Sequence, residues 1–173
     1  NLFKTGNQTE VALTEEGLVM TYTGDETTAP DPYFAFPIAN YYKKTSSEIP
    51  KPETANWVCF KLKCEGGDGM FELFTATPAG GDSSTGEYTA DGTWQYMMID
   101  MSLTTLVEGR KLSSMRMDWA GGGCNPGATM TIAEIGFFAE EKDACEFCGI
   151  EYVTMAPKTK APKKSLRGPL IQL

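Results

Sequence analysis

The sequence contains no histidine. That removes the commonest general base and metal ligand at neutral pH. A Ser–His–Asp or Cys–His catalytic site cannot be built from this chain, and neither can a zinc site that uses imidazole. Long apolar runs are missing as well. No stretch approaches the roughly 18–20 apolar residues that cross a bilayer as a helix. Helical periodicity is scarce, with no window of about 12 residues carrying a convincing i, i+3, i+4 apolar stripe. The chain opens at Asn1 with neither an initiator methionine nor a signal-peptide pattern, so it reads as a mature or excised product.

Positive charge is in short supply too, and it is unevenly placed. The chain carries 15 basic and 23 acidic residues, for a net charge of −8. Lys158, Lys160, Lys163, Lys164 and Arg167 all fall after residue 155, where no acid occurs. Residues 1–155 therefore hold 10 basic against 23 acidic residues, a net charge of −13. Such a body repels a phosphate backbone, which excludes nucleic acid as the main partner. The chain divides into a body, residues 1–155, and a basic, extended tail, residues 156–173. The Pro/Lys half of the tail reads as a solvated linker or an electrostatic arm. Its apolar end, with Leu170, Ile171 and Leu173, suits addition to an exposed sheet edge. Self-association of that head-to-tail kind generates rings or open filaments.

What is abundant is the vocabulary of strands and turns. With 18 glycines and 10 prolines, turn clusters such as "EGGDG", "AGGDSSTGEY" and "AGGGCNPG" separate short runs of alternating hydrophobicity. "EVALTEEGLVMTY" (10–22) predicts two strands around a Glu15-Glu16-Gly17 turn. "DPYFAFPI" (31–38), "NWVCFKLKC" (56–64), "GMFELFTATP" (69–78), "GTWQYMMIDMS" (92–102) and "RKLSSMRMDW" (110–119) predict further strands. In "NWVCFKLKC", Trp57, Cys59 and Lys61 share one face, and Val58, Phe60 and Leu62 share the other. Met115, Met117 and Trp119 likewise oppose Ser114, Arg116 and Asp118. "GATMTIAEIGFFAEEKDA" (127–144) changes rhythm halfway. Met130 and Ile132 have one parity, Ile135 and Phe137 the other. Either the strand skips a residue near Ala133 or Glu134, as a β-bulge does, or it is a central strand covered on both faces. "AEEKDACEF" (139–147) is the best helical candidate, about two turns long, and is expected to cap the end of the domain. The fold class that follows is all-β: an antiparallel β-sandwich or jelly roll with one short helical turn near its C-terminal end.

Three segments in order, "YTADGTWQYMMIDMS" (88–102), "LSSMRMDWAGGGCNPGATMTIAEIGFF" (112–138) and "AEEKDA" (139–144), resemble the galactose-binding-like jelly-roll modules of secreted bacterial proteins. The shared pattern is a Gly-Xaa-Trp opening to a strand that ends in Ile-Asp, followed by a strand carrying an Arg. A Gly-rich loop, a strand ending in Ile-Gly-Phe-Phe and an acidic turn complete it. The resemblance spans roughly residues 8–147. The cysteines, the 41–55 insertion and the tail lie outside the pattern. The resemblance implies a carbohydrate-binding or spacer module. It also admits a structural calcium through Asp25, Asp82, Asp91 and Asp100, although their spacing fits no EF-hand and ordinary surface acids are the plainer reading.

Sugar rings stack on exposed aromatic faces while nearby amides and carboxylates bond their hydroxyls. Tyr33, Asn40, Tyr41, Tyr42 and Asn56 are the ligand-binding candidates, with Tyr41-Tyr42 as the best platform. Trp57, Trp94 and Trp119 read as core anchors. A glycosidase needs two carboxyls across a cleft. Asp100 and Asp118 end strands that look adjacent, but no motif selects a catalytic pair, so no enzyme activity is expected.

Five cysteines suit an oxidising compartment better than the cytosol. Four thiolates could also hold zinc, whereas a redox CxxC would need a βαβ setting that is missing here. Cys59 and Cys64 point to opposite faces of one strand and should not pair together. Disulfides of Cys59 or Cys64 with Cys145 or Cys148 are the expectation, with Cys124 the odd one. Asn7-Gln8-Thr9 is an N-glycosylation sequon. Together these readings describe a non-catalytic, extracellular β-sandwich module that binds glycan or another surface polymer. The alternative is a structural subunit of an extracellular filament or matrix assembled through the tail.

Overall fold

The computed structural model of the chain describes residues 6–25, 27, 29–36, 55–77, 80–102, 114–120 and 123–153. Nine strands and one helix lie among these residues. Strands β1 (Thr9–Thr14), β2 (Gly17–Tyr22), β4 (Trp57–Glu65), β7 (Gln95–Asp100) and β9 (Thr129–Phe138) form one sheet, in the order β1-β2-β9-β4-β7. Strands β3 (Tyr33–Phe36), β5 (Met70–Thr77), β6 (Gly80–Glu87) and β8 (Ser114–Asp118) form the other, in the order β3-β8-β5-β6. All pairings are antiparallel. Helix α1 (Glu141–Cys148) follows β9.

Period-two alternation turns one face of each sheet inward. Met20, Phe60, Ile99 and Met130 of the first sheet meet Phe71, Leu73 and Met117 of the second in a single buried core. The Phe60 and Phe71 rings touch across it, with centroids 5.0 Å apart. The all-β sandwich expected from the turn-rich sequence is therefore present, including its one short helix near the C-terminal end. Trp119 is completely buried and anchors the core. Its indole N–H donates to Thr9 Oγ1 at 3.4 Å, and its carbonyl accepts the Tyr88 hydroxyl at 2.6 Å.

The change of rhythm in β9 is a bulge. Lys61 pairs with Glu134 but its neighbour Leu62 pairs with Ile132, so Ala133 is the extra residue. Met130 and Ile132 face the core before it, and Ile135 and Phe137 face the same side after it, opposite Phe60 and Val58. Ile135 is still 37% exposed, because β2 accompanies β9 only as far as Ile132. Gly17 fits beside this kink with φ +129°, where a Cβ would collide with the Ile132 carbonyl.

Three expectations need correction. "GGDSSTGE", read as part of a turn cluster, is strand β6. It lacks apolar alternation because it is an edge strand, and β5 pairs with it along its whole length. The helix does not cap the end of the sandwich; it packs on the outer face of the five-stranded sheet, against β4, β7 and β9. Asp100 and Asp118 do not end neighbouring strands, since β7 and β8 belong to different sheets.

Candidate functional site

The outer face of the five-stranded sheet is built in rows across β9, β4 and β7. Glu134, Lys61 and Tyr96 stand in one row, and Gly136, Cys59 and Met98 in the next. Helix α1 roofs the second row. Its Ala144 and Cys148 close over Cys59, with Trp57, Met98, Phe138 and Phe147 around them. Gly136 makes room for this roof, because a Cβ there would press on the Phe138 ring and approach Phe147. Phe147 lies 5.3 Å from Phe138 and meets Tyr96 edge-on at 5.6 Å. The helix stops at Gly149, where the N–H groups of Gly149 and Ile150 donate to the carbonyls of Glu146 and Cys145.

Beyond the roof the face is open. Trp94 and Tyr96 are each 42% exposed. Trp94 immediately precedes the edge strand and Tyr96 lies in it, and both rings sit on the outer face beside lysines of β4. The Lys63 ammonium sits 4.9 Å from the Trp94 ring centroid, and that of Lys61 sits 6.0 Å from Tyr96. Lys63 also donates to Glu16 at 2.9 Å and Lys61 to Glu134 at 3.1 Å. The Glu134 hydrogen bond is the main reason the Lys61 ammonium titrates above its ordinary value.

The support beneath the two rings is well tied. Gln95, between them in sequence, faces the other way and exchanges two 2.7 Å hydrogen bonds with the backbone of Thr89. Asp91 closes the preceding turn by accepting the Thr93 N–H at 2.9 Å and its hydroxyl at 2.6 Å. Those bonds hold the Asp91 carboxyl below the ordinary carboxylate range. The result is a pair of partly exposed aromatics, ammonium groups and carboxylates on a rigid edge. Groups of these kinds are able to stack on C–H faces and hydrogen-bond hydroxyls.

Trp94 is the residue that strand reasoning misassigned, because it is not a core anchor. The signal was available in "GTWQYMMID": Met97 and Ile99 are the buried parity, so Trp94 and Tyr96 must take the other one. Trp57 is half-buried beneath α1.

The outer face of the four-stranded sheet carries a second polar cluster. Arg116 lies with its guanidinium 3.7 Å from the Tyr33 ring centroid and 5.2 Å from that of Phe74. Its Nε and an Nη each donate to Asp118 at 2.6 Å, a two-pronged pair. The same end reaches Asp31 at 3.4 Å. Burial holds the Asp118 carboxyl above the ordinary range even though Arg116 pulls it down. This cluster is internally paired.

The ligand-binding candidates are not gathered in one place. Tyr33 stands on the four-stranded sheet under Arg116. Asn56 precedes β4 in the five-stranded sheet, and its side-chain amide donates to the Ala139 carbonyl at 2.9 Å. Asn40, Tyr41 and Tyr42 lie outside the described residues, as do Leu170, Ile171 and Leu173. Asn7 is exposed, and its amide nitrogen donates to the Asp31 carbonyl. Asp25 and Asp91 each accept the N–H and hydroxyl of a threonine two residues on, and Asp100 accepts the Ser102 N–H. Asp82 lies in β6 opposite Thr75. Among the described residues, no three His, Cys, Asp or Glu side chains gather as a metal site.

All five cysteines are free thiols. Cys59 faces the helix, while Cys64 faces the core on the other side of the same strand. Cys64 therefore sits with Tyr88 and Cys124 rather than with the helix cysteines.

No family model and no curated protein matches the chain. Among solved structures it is similar to the carbohydrate-binding module CsCBM6-3 of Clostridium stercorarium, determined in complex with cellobiose. The likeness covers 80% of this chain and 88% of that one, at 9% identity and a TM-score of 0.44.

Proposed function

We propose that this chain is a non-catalytic, extracellular β-sandwich module that binds glycan or another surface polymer. The observation that supports it most is the partly exposed pair Trp94 and Tyr96 on the β7 edge, flanked by Lys63 and Lys61. Rigid placement matters because a platform that is already formed loses little entropy when a flexible chain settles on it. Both lysines are already paired with Glu16 and Glu134, so the platform offers mixed donors and acceptors rather than a positive field. That suits hydroxyl-rich neutral sugars. The non-catalytic part of the reading draws on the lack of histidine and on Asp118 being committed to Arg116. The extracellular part draws on the cysteine content and the Asn7 sequon.

A glycan array followed by affinity electrophoresis on the selected polymer tests the proposal. Trp94→Ala and Tyr96→Ala should each weaken retention about tenfold or more, with unchanged circular dichroism. Loss of binding only in Tyr41→Ala and Tyr42→Ala would move the site to the 41–55 insertion. A wild-type chain that retains no glycan would end the reading.

A further inference from the structure

The glycan reading makes no use of the small closed cluster under helix α1. Cys59, Ala144 and Cys148 form it, buried beneath the helix and separate from the main core, with a small part of Cys148 still exposed. Cys59 lies over the last turn of the helix, with its Sγ 3.9 Å from the Ala144 carbonyl oxygen. Ala144 and Cys148 are four residues apart, so they share one helical stripe, and that stripe faces β4. Cys145 is buried as well but lies outside this cluster. Cys64 and Cys124 are on the other side of the five-stranded sheet. Of the two helix cysteines, Cys148 shares the cluster with Cys59 and makes a side-chain contact with it, whereas Cys145 acts on it only through its charge.

We infer that Cys59 and Cys148 are a disulfide-forming pair, oxidised by a small-molecule disulfide such as oxidised glutathione, and that the bond staples α1 to β4. Cys148, at the helix end, is the more accessible of the two and attacks first. Its thiolate displaces one small-molecule thiolate, and its proton goes to solvent. The Cys59 thiolate then attacks the Cys148 sulfur in the mixed disulfide and releases the second small-molecule thiolate. The protein loses two thiol protons and two electrons, and the oxidant's S–S bond takes up both electrons. The inference stands on the thiol geometry and does not depend on what the Trp94 face binds. Its structural consequence does reach that face, because Phe147, next to Cys148, backs Tyr96.

The full chain, incubated in a glutathione redox buffer and mapped by non-reducing mass spectrometry, tests this. One peptide pair joining Cys59 to Cys148 should appear, with the intact chain lighter by the mass of a hydrogen molecule. The oxidised chain should melt roughly 10 °C above the reduced one, because the bond closes a loop of roughly 90 residues. Cys148→Ser should abolish both effects and Cys145→Ser neither. If Cys59→Ser fails to fold, the Cys148→Ser and Cys145→Ser comparison still decides the question. Recovery of Cys59 as a free thiol after full oxidation, or joined to Cys145, would overturn the inference.

Discussion

Single residues divide here into those that carry the fold and those it leaves free. Arg116 belongs to the first kind although it sits on an outer face. Its fork satisfies Asp118, whose side chain is only 10% exposed. Arg116→Ala strands that carboxylate, and we expect a loss of about 1–3 kcal/mol by urea denaturation, with Asp118→Asn costing less. Trp94→Ala should change stability by less than about 0.5 kcal/mol, because a partly exposed side chain leaves no cavity. The thiols set a pH dependence. Burial pushes Cys59, Cys64 and Cys148 above the ordinary thiol range and takes Cys124 to about 11. In the unfolded chain these groups ionise at ordinary values, so above that range the unfolded state holds fewer protons than the folded one. The unfolding free energy must then fall as pH rises. Under reducing conditions, the urea midpoint should be lower at about pH 10 than at about pH 7.5, and the drop should shrink in Cys124→Ser. An equal drop in that variant would contradict the assignment.

Elements show what the sequence made legible. Strands β1, β2, β4, β5, β7 and β8 were readable because each alternates apolar and polar side chains between turn residues. The parity change in β9 admits a bulge near Ala133 or Glu134 or a strand covered on both faces, and the register against β4 decides for a bulge at Ala133. Strand β6 was illegible because an edge strand of Gly, Ser and Asp takes its conformation from β5 rather than from its own side chains. The helix was readable, but its docking site was not. Only the roofed row at Cys59 and the flat spot at Gly136 show where α1 lies. The platform was half-legible, since parity places Trp94 and Tyr96 together but a large aromatic in a strand is most often core. The β2–β9 junction offers a direct check. Gly17→Ala puts a Cβ against the Ile132 carbonyl at φ +129°, and we expect a loss of about 1–3 kcal/mol in thermal or urea unfolding.

At the scale of the whole molecule, the two sheets share one main core and present unlike outer faces. One face spends its charges on itself, through Arg116 with Asp118 and Asp31. The other is divided between a helical roof and an open aromatic strip. The strip lies at the start of an edge strand whose Gln95 is tied to Thr89, just after the Asp91 bridge to Glu65. An NMR titration of the full chain with the glycan that it selects on an array tests this most directly. The account predicts shifts centred on the Trp94 indole N–H, Tyr96, Lys61 and Lys63, with the sugar recovered intact. Shifts confined to Tyr33 and Arg116, or release of shortened sugar, would contradict it.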